Sequence, residues 1–306
     1  MRDRSAVIEV RGLTKRYGTV VAVDDLTFDV PEGTVTAFLG RNGAGKSTTL
    51  RMLLGLDRPT AGTARIGGRA YADLERPLRA VGALLDSSAA HPGRTARDHL
   101  RWLAASNALP AHRVRAVLDL VGLREAAGRR VRGFSLGMRQ RLGIAAALLG
   151  DPPVLLLDEP VNGLDAEGIR WLRAFLRGLA AEGRTVLVSS HLMAEVARTA
   201  DHLLVVGSGR LLADTPLPAF LAEHTVGRVR VGTAQPERLR GLLLAAGATV
   251  TRDDDDGALR VAGVDAARVG AVAARHGVPL TELGADVRSL EDAFLGLTAP
   301  APEAAA

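Results

Sequence analysis

Short apolar runs alternate with helix-like stretches over the first two thirds of the chain. Two runs, residues 7–11 and 26–30, have one polar face, which predicts strands of an antiparallel flank. Four others are mainly apolar, as expected of strands buried on both faces of a mostly parallel sheet. These four runs are residues 35–39, 154–157, 185–189 and 203–206. The pattern therefore predicts an α/β core.

A helical region interrupts this alternation between about residues 95 and 149. Apolar positions recur there with the 3.6-residue period of an amphipathic helix, most clearly in residues 99–103 and 114–121. We interpret the region as a helical insert between two strands of the sheet.

The pattern changes again after about residue 220. It predicts the element order β-α-β-β-α-β of a ferredoxin-like fold, followed by a closing helix at 289–295. The predicted strands are residues 226–231, 248–252, 258–261 and 278–282, and the predicted helices are 236–246 and 265–276. The aspartates at 253–256 lack the spacing of a calcium loop and are interpreted as a solvated hairpin tip.

These patterns predict a division into two domains and a tail. We expect an α/β domain over residues 5–220, with its helical part at about 95–149, and a small α+β domain over residues 221–298. The alanine-rich tail at 299–306 is expected to be disordered.

Composition narrows the class of protein. The chain has 306 residues, 47% of them hydrophobic, which is enough for a large core without disulfide or metal support. It has no cysteine, so disulfides and cysteine-based metal sites are excluded. A net charge of +5 and 3% aromatic residues favour an arginine-rich surface near an anionic membrane or partner over a nucleic-acid site.

Targeting signals are not evident in the sequence. No apolar run reaches the length of a membrane-spanning helix, and the first residues lack the apolar region of a secretory signal. We therefore expect the protein to stay in the cytosol and to reach a membrane only through a partner.

One glycine-rich segment carries the strongest chemical signal. Residues 40–47 fit the phosphate-binding pattern G-x-x-x-x-G-K-[ST] and lie between a predicted buried strand and a predicted helix. The glycines allow backbone N–H groups to point at phosphates, Lys46 adds a charge for the outer phosphates, and Ser47 offers a hydroxyl to Mg²⁺. The predicted nucleotide-binding residues of this loop are Gly40, Asn42, Gly43, Ala44, Gly45, Lys46, Ser47 and Thr48.

Two acidic residues follow the buried run 154–157. Asp158 lies at the carboxyl end of a predicted parallel strand, where a carboxylate beside the phosphate loop can hold Mg²⁺. Glu159 comes next and can act as a general base on water. The alternative, an ordinary strand end with two solvated acids, is disfavoured because the phosphate loop is also present.

With these features in order, the chain resembles the nucleotide-binding subunit of an ABC transporter over residues from about 5 to 220. The resemblance implies a P-loop ATPase that uses Mg²⁺ and hydrolyses ATP to ADP and phosphate. Six segments stand in the order of the family: Tyr17 for adenine stacking, the Walker A loop at 40–48, the signature at 134–141, Walker B at 156–160, the D-loop at 162–165, and the switch segment Ser189-Ser190-His191.

The resemblance also implies that two copies dock head-to-tail as a homodimer and bury two ATP molecules. In that arrangement the terminal phosphate meets Lys46, Ser47, Glu159 and His191 of one copy and Ser135 and Gly137 of the other, while Asp165 reaches across the interface.

Three of these residues have a structural alternative. Tyr17 could pack on the N-terminal hairpin, and His191 could be a satisfied core histidine after a buried strand. Asp165 could cap the helix that begins near residue 166, with or without a second role.

Two departures from the family pattern matter. Leu136 and Met138 replace a glycine and a glutamine of the common signature, a form that resembles the branch serving ABC-2-type exporters, including antibiotic self-protection pumps. Asp86 stands where the family has the Q-loop glutamine. It could ligate Mg²⁺ or serve as a structural loop acid, and both interpretations stay open.

The resemblance therefore predicts the ATP-hydrolysing subunit of an ABC-2-type exporter of a drug, antibiotic or lipid-like substrate. It implies an integral membrane permease as partner, a position on the inner face of the cell membrane through that permease, and no nucleic-acid partner. The alternative is a soluble ABC-type ATPase that acts on ribosomes or DNA.

Overall fold

The computed structural model describes residues 6–225, 228–253, 256–285 and 289–298. The chain forms two compact units that divide between Leu217 and Pro218. The tail expected to be disordered at 299–306, and the start of the strand expected from residue 226, lie outside the described residues. None of the helices in the described ranges combines the length and the hydropathy that a membrane-spanning helix needs.

The described residues 6–225 contain nine strands and eight α-helices in the α/β alternation that the sequence predicts. The strands are β1 (Ala6–Tyr17), β2 (Val20–Pro31), β3 (Val35–Leu39), β4 (Ala61–Ile66), β5 (Val81–Leu84), β6 (Val154–Leu157), β7 (Thr185–Ser190), β8 (His202–Gly207) and β9 (Arg210–Pro216). The helices are α1 (Lys46–Leu53), α2 (Pro77–Ala80), α3 (Ala96–Ser106), α4 (His112–Leu120), α5 (Leu136–Ala147), α6 (Ala166–Ala181), α7 (Met193–Val196) and α8 (Leu217–Thr225).

A six-stranded sheet with the order β5-β6-β7-β3-β8-β9 lies at the centre of the first unit. Its first five strands are parallel and β9 is antiparallel to β8. Strands β3, β6 and β7 are buried along their whole length because they carry apolar residues on both faces. Since the five strands are parallel, the carboxyl ends of β5, β6, β7 and β3 meet at one edge of the sheet.

An antiparallel flank with the order β2-β1-β4 packs against this sheet. The two predicted strands at 7–11 and 26–30 extend into a hairpin of two 12-residue strands, turned at Gly18 with a φ of +58°. The rings of Phe28 in the flank and Phe38 in β3 lie 5.6 Å apart within one buried apolar cluster. This packing fixes β3, and with it the loop that leads into α1.

The second unit has the ferredoxin-like topology that the sequence predicts. Its sheet is antiparallel with the order β11-β12-β10-β13, and the two helices that connect its strands contribute to a core that includes Val231, Leu239, Leu259 and Val269. The elements are β10 (Arg228–Thr233), α9 (Pro236–Ala245), β11 (Thr249–Arg252), β12 (Leu259–Ala262), α10 (Ala266–Arg275), β13 (Leu280–Ala285) and α11 (Ser289–Thr298).

The acidic hairpin between β11 and β12 differs from the expected solvated tip. Asp253 is only 5% exposed, and its carboxylate accepts from Arg260 at 2.9 Å and from Arg230 at 3.4 Å. Arg230 and Arg260 are directly opposite each other in neighbouring strands, so a carboxylate between them reduces their repulsion. Residues 254 and 255 lie outside the described residues.

Candidate functional site

The glycine-rich loop joins β3 to α1 at the carboxyl edge of the parallel sheet. Gly45 precedes α1 with a φ of +99°, and a Cβ there would lie 2.5 Å from the carbonyl oxygen of Ala22. A Cβ on Gly40 would lie 2.6 Å from the carbonyl oxygen of Val206. Only glycine fits at both positions. The N–H groups in the first turn of α1 have no partners within the helix, and a helix N-terminus of this kind suits an anion.

The remaining loop residues differ in exposure. Asn42, Gly43 and Ser47 are exposed, Thr48 is half-buried, and Ala44 is buried. The amide of Asn42 and the hydroxyl of Ser47 are therefore accessible to a ligand that lies on the loop.

Lys46 is the buried charge of this site, with only 6% of its surface exposed. Its Nζ donates to the carbonyl oxygens of Gly40 at 2.6 Å and Arg41 at 3.4 Å. It also lies 3.3 Å from Oε1 of Glu159, which follows β6. The ammonium is thus held beneath the loop, and Glu159 balances its charge.

The ends of β6 and β7 add a connected set of side chains. The second carboxylate oxygen of Glu159, Oε2, lies 2.8 Å from Nδ1 of His191. The hydroxyl of Ser189 donates to Oδ1 of Asp158 and accepts from the backbone N–H of Glu159 at 2.8 Å. The structure therefore brings Lys46, Asp158, Glu159 and His191 together through direct contacts and one bridging serine.

Ser189 and Gln140 hold Glu159, and the sequence pattern predicts no individual role for either residue. Ser189 is fully buried, and the buried side chain of Gln140 in α5 donates to the carbonyl oxygen of Glu159 at 3.3 Å. Glu159 itself has a φ of +45°, a left-handed conformation that is uncommon for a residue with a side chain. Such a conformation persists where the surroundings over-determine it, which is common at functional sites. The signals in the sequence are that Ser189 is a polar residue after an apolar run and belongs to the switch segment, and that Gln140 belongs to the signature at 134–141.

Tyr17 lies at the end of β1 with 48% of its surface exposed. Its hydroxyl donates to Asp57 at 2.9 Å, and Arg51 donates to both oxygens of Asp57 at 2.8 and 3.2 Å. The hydrogen bond from Arg51 is the main cause that lowers the pKa of Asp57, whereas desolvation and the bond to Asp57 raise the pKa of Tyr17. The Nζ of Lys15 is 4.8 Å from the ring centroid. The ring is thus held in place while much of it stays accessible for stacking.

Asp86 follows β5, which is the outermost strand on one side of the six-stranded sheet. Two strands, β6 and β7, lie between β5 and β3. It is exposed, and its two carboxylate oxygens accept from the N–H of Ser88 at 2.7 Å and from the hydroxyl of Ser88 at 2.8 Å. This is the geometry of an Asx turn, which the loop-acid interpretation expects. In the described part of the chain, Asp86 makes no hydrogen bond or ion pair with Lys46, Glu159 or His191.

Ser135, Gly137 and Asp165 form a second set around a separate cavity of about 740 Å³. Ser135 caps α5, its Oγ accepting from the N–H of Met138 at 3.2 Å. Asp165 caps α6, its Oδ1 accepting from the N–H of Gly168 at 2.7 Å. The residues that line this cavity do not include Lys46, Glu159 or His191.

The donor atoms at the first set suit Mg²⁺ only together with a phosphate ligand. Within the described ranges, no group of three or more histidine, aspartate or glutamate side chains could hold a metal ion. Mg²⁺ typically takes one or two protein oxygens and completes its shell with substrate phosphates and water. The hydroxyl of Ser47 and the carboxylate of Asp158 fit that pattern.

Comparisons with known proteins agree on one protein family for the first unit. A family model described as ABC transporter matches residues 23–162, and a model described as a domain of unknown function, DUF8746, matches residues 227–291. The bacitracin transport ATP-binding protein BcrA of Bacillus licheniformis is 42% identical over 217 residues, which cover 69% of this chain and 70% of that protein. The lantibiotic transport ATP-binding protein SrtF of Streptococcus pyogenes is 35% identical over 208 residues, which cover 68% of this chain and 90% of that protein.

A solved structure agrees with the fold. The dimeric structure of MJ0796, a bacterial ABC transporter cassette, aligns with a TM-score of 0.64 and 25% identity, covering 69% of this chain and 98% of that cassette. The predicted P-loop α/β fold is thereby confirmed.

Proposed function

The chain belongs to the ABC transporter ATP-binding family, and we propose that it powers export of an antibiotic-like substrate through a separate ABC-2-type permease. As a family member it binds ATP and couples ATP hydrolysis to transport. The observation that supports the site assignment most strongly is the contact of Lys46 with Glu159 and of Glu159 with His191 at adjoining strand ends.

Lys46 and Glu159 are proposed to separate when ATP binds. The terminal phosphate of ATP carries more negative charge than one carboxylate, so it competes for the Lys46 ammonium. Glu159 then loses its cationic partner and is available to accept a proton from the attacking water. His191 contacts the other carboxylate oxygen and keeps Glu159 oriented. We propose that it also contacts the same phosphate.

Ser47 and Asp158 are proposed to hold Mg²⁺ against the nucleotide. The bound ion would neutralise charge on the outer phosphates. Ser189 keeps the carboxylate of Asp158 in place through its hydroxyl, and it ties that carboxylate to the backbone of Glu159. The metal ligand and the base are therefore positioned as one unit.

The cavity around Ser135, Gly137 and Asp165 is proposed to receive the nucleotide of a second copy. The hydroxyl of Ser135 and the N-terminus of α5 point a hydrogen-bond donor and a positive dipole into it. In a two-fold dimer each copy would supply this surface to the ATP on the loop of the other. The dimeric form of the cassette MJ0796 supports this arrangement.

The proposed site of action is the inner face of the cell membrane, where a permease holds the chain. The relatives named for bacitracin and lantibiotic transport support an antibiotic-like substrate. The alternative, a soluble ATPase that acts on ribosomes or DNA, has no comparable relative among those described above.

Co-production with its permease in an antibiotic-sensitive bacterium tests the proposed function. We expect the minimal inhibitory concentration of a bacitracin- or lantibiotic-class compound to rise with the wild-type chain and to stay at the control level with Lys46→Ala. The export assignment would be contradicted if the purified wild-type chain hydrolyses ATP but its co-production with the permease protects the bacterium against none of these compounds.

Ser189→Ala is expected to slow ATP hydrolysis without weakening ATP binding. Loss of the bridging hydroxyl is expected to raise the activation free energy by about 1.4 kcal/mol, because Asp158 and Glu159 are then held less firmly. The kcat value therefore falls about tenfold while KM changes little. Ser190→Ala is the matched control because the hydroxyl of Ser190 instead accepts from the N–H of Leu192. Equal kcat values for the two variants in a steady-state assay would contradict the bridging role.

Asp57→Ala is expected to raise KM for ATP about fivefold at unchanged kcat, because it frees the Tyr17 ring that we propose stacks on adenine. Tyr17→Phe removes the same hydrogen bond, so the double variant should show no further loss. If Tyr17→Ala raises KM but Asp57→Ala does not, Asp57 has no role in positioning the ring.

A further inference from the structure

The positive charge of this chain is concentrated in one segment. Residues 94–132 carry nine arginines and three acidic side chains, a net charge of +6, whereas the whole chain carries +5. The other residues together therefore carry a net charge of −1. The segment covers α3, α4 and the loop that follows them, so this charge lies on the helical part of the first unit. An anionic partner would therefore be attracted mainly to this part.

Four of these arginines surround a cavity of about 380 Å³. Arg97 and Arg101 are one turn apart on α3, Arg115 is on α4, and Arg124 follows α4. Arg101, Arg115 and Arg124 have 64%, 74% and 60% of their side chains exposed. Guanidinium groups suit the oxygens of a phosphate because they donate in a planar fork.

The acidic groups near this cavity balance only part of its charge. Asp119 lies 3.5 Å from Arg124 and 3.9 Å from Arg115, and Asp98 lies 3.7 Å from Arg101. These are long contacts between exposed side chains, and such pairs are weak and screened by salt. A multivalent phosphate surface could therefore displace them.

The floor of the same cavity is apolar. Val114 and Leu118 of α4 line it, and they are 4% and 3% exposed, with Ala111 and Ala127 beside them. A rim of arginines above an apolar floor matches an amphiphile, which joins an anionic phosphate to apolar acyl chains. A free phosphate has no apolar part and would use the rim and not the floor. On α3 the next residue, Trp102, is 51% exposed, a residue type that is enriched where proteins meet the membrane surface.

We propose that this cavity binds the headgroups of anionic phospholipids and holds the helical part of the first unit against the membrane surface. This goes beyond the proposed function, because it adds a direct lipid contact to the one made through the permease. It requires neither ATP nor the permease, so it can fail while the ATPase assignment stands.

Vesicle flotation of the purified chain without nucleotide tests the proposal. The probes are phosphatidylcholine vesicles and phosphatidylcholine vesicles with about 30% phosphatidylglycerol, at about 0.1 M salt. The test variant replaces the four cavity arginines (Arg97→Gln, Arg101→Gln, Arg115→Gln and Arg124→Gln). The control removes the same charge from four exposed arginines elsewhere (Arg65→Gln, Arg69→Gln, Arg268→Gln and Arg275→Gln).

We expect wild type and control to bind the anionic vesicles and the test variant to bind them about a hundredfold more weakly, with the ATPase rate of both variants unchanged. Equal binding to both vesicle types, or equal losses in both variants, would overturn the proposal. Release of the wild type from vesicles by inorganic phosphate at matched ionic strength would overturn it in favour of a free-phosphate site. A test variant that floats like wild type but no longer assembles with the permease would assign the arginines to a protein partner instead.

Discussion

Glu159→Gln is expected to abolish ATP turnover while ATP stays bound. Removal of a general base typically lowers the rate by about 10²- to 10⁴-fold. The glutamine side chain has nearly the same shape as glutamate and can still contact His191. It carries no charge, so it no longer forms the ion pair that Glu159 makes with Lys46 at 3.3 Å. Since ATP must otherwise compete with Glu159 for Lys46, ATP affinity should be equal to or higher than that of the wild type.

Two measurements on this variant separate the roles of Glu159. A nucleotide-binding titration reports the competition for Lys46, and light scattering with Mg²⁺ and ATP reports a trapped dimer. Glu159→Asp serves as the control, because it keeps the charge and shortens the reach of the carboxylate. Hydrolysis by Glu159→Gln at the wild-type rate would show that another group is the base.

Ser135→Asp is expected to block ATP-dependent association of two copies without unfolding the chain. Asp caps helices as well as Ser does, so the bond from the N–H of Met138 can be kept and α5 should remain intact. The new carboxylate would face the terminal phosphate of the ATP held by the partner copy. Like charges in a closed interface cost several kcal/mol, so dimerisation and turnover should fall by about a hundredfold or more.

The control for this prediction is Ser135→Thr, which keeps both the hydroxyl and the cap. Binding of ATP to a single copy should be the same in Ser135→Asp as in the wild type, because the cavity around Ser135 and the phosphate loop have separate linings. An Asp variant that binds ATP, dimerises and hydrolyses at the wild-type rate would contradict a role for this cavity in nucleotide contact. Thermal unfolding of both variants shows whether the cap is retained.

The phosphate loop and the residues Asp158 and His191 could be predicted because each follows directly on a recognisable apolar strand in the sequence. A buried strand, a glycine-rich turn and a helix N-terminus are adjacent in sequence, which places Lys46 without any tertiary information. Asp158 and His191 each follow an apolar run, and the carboxyl ends of parallel strands meet at one edge. Their approach to one another follows from topology, although the actual distances do not.

The edge strands were missed for a physical reason. β5 has only four residues, and its strand conformation depends on pairing with β6, about 70 residues later in the chain. β9 alternates between half-buried and exposed residues and is held by one neighbour, β8. The conformation of such short segments depends on the neighbouring strands with which they pair. The local sequence pattern is therefore not enough to predict them as strands.

The residues that position the site were also beyond sequence reasoning. Ser189, Gln140 and Asp57 act on Asp158, Glu159 and Tyr17 through hydrogen bonds between residues 19 to 40 positions apart. Such contacts depend on strand order and side-chain direction. The solvated tip predicted at residue 253 was wrong for the same reason, since two arginines of neighbouring strands draw that carboxylate inward.

Activity in a mixture of two inactive variants tests most directly whether two copies share each ATP. Lys46→Ala damages the phosphate loop and Ser135→Asp the opposing cavity, so each homodimer has two defective sites. In an equal mixture, half of the dimers would pair one copy of each and contain one intact site, which predicts about one quarter of wild-type ATPase activity if the sites act independently. A mixture no more active than the average of the two separate variants would contradict the shared site.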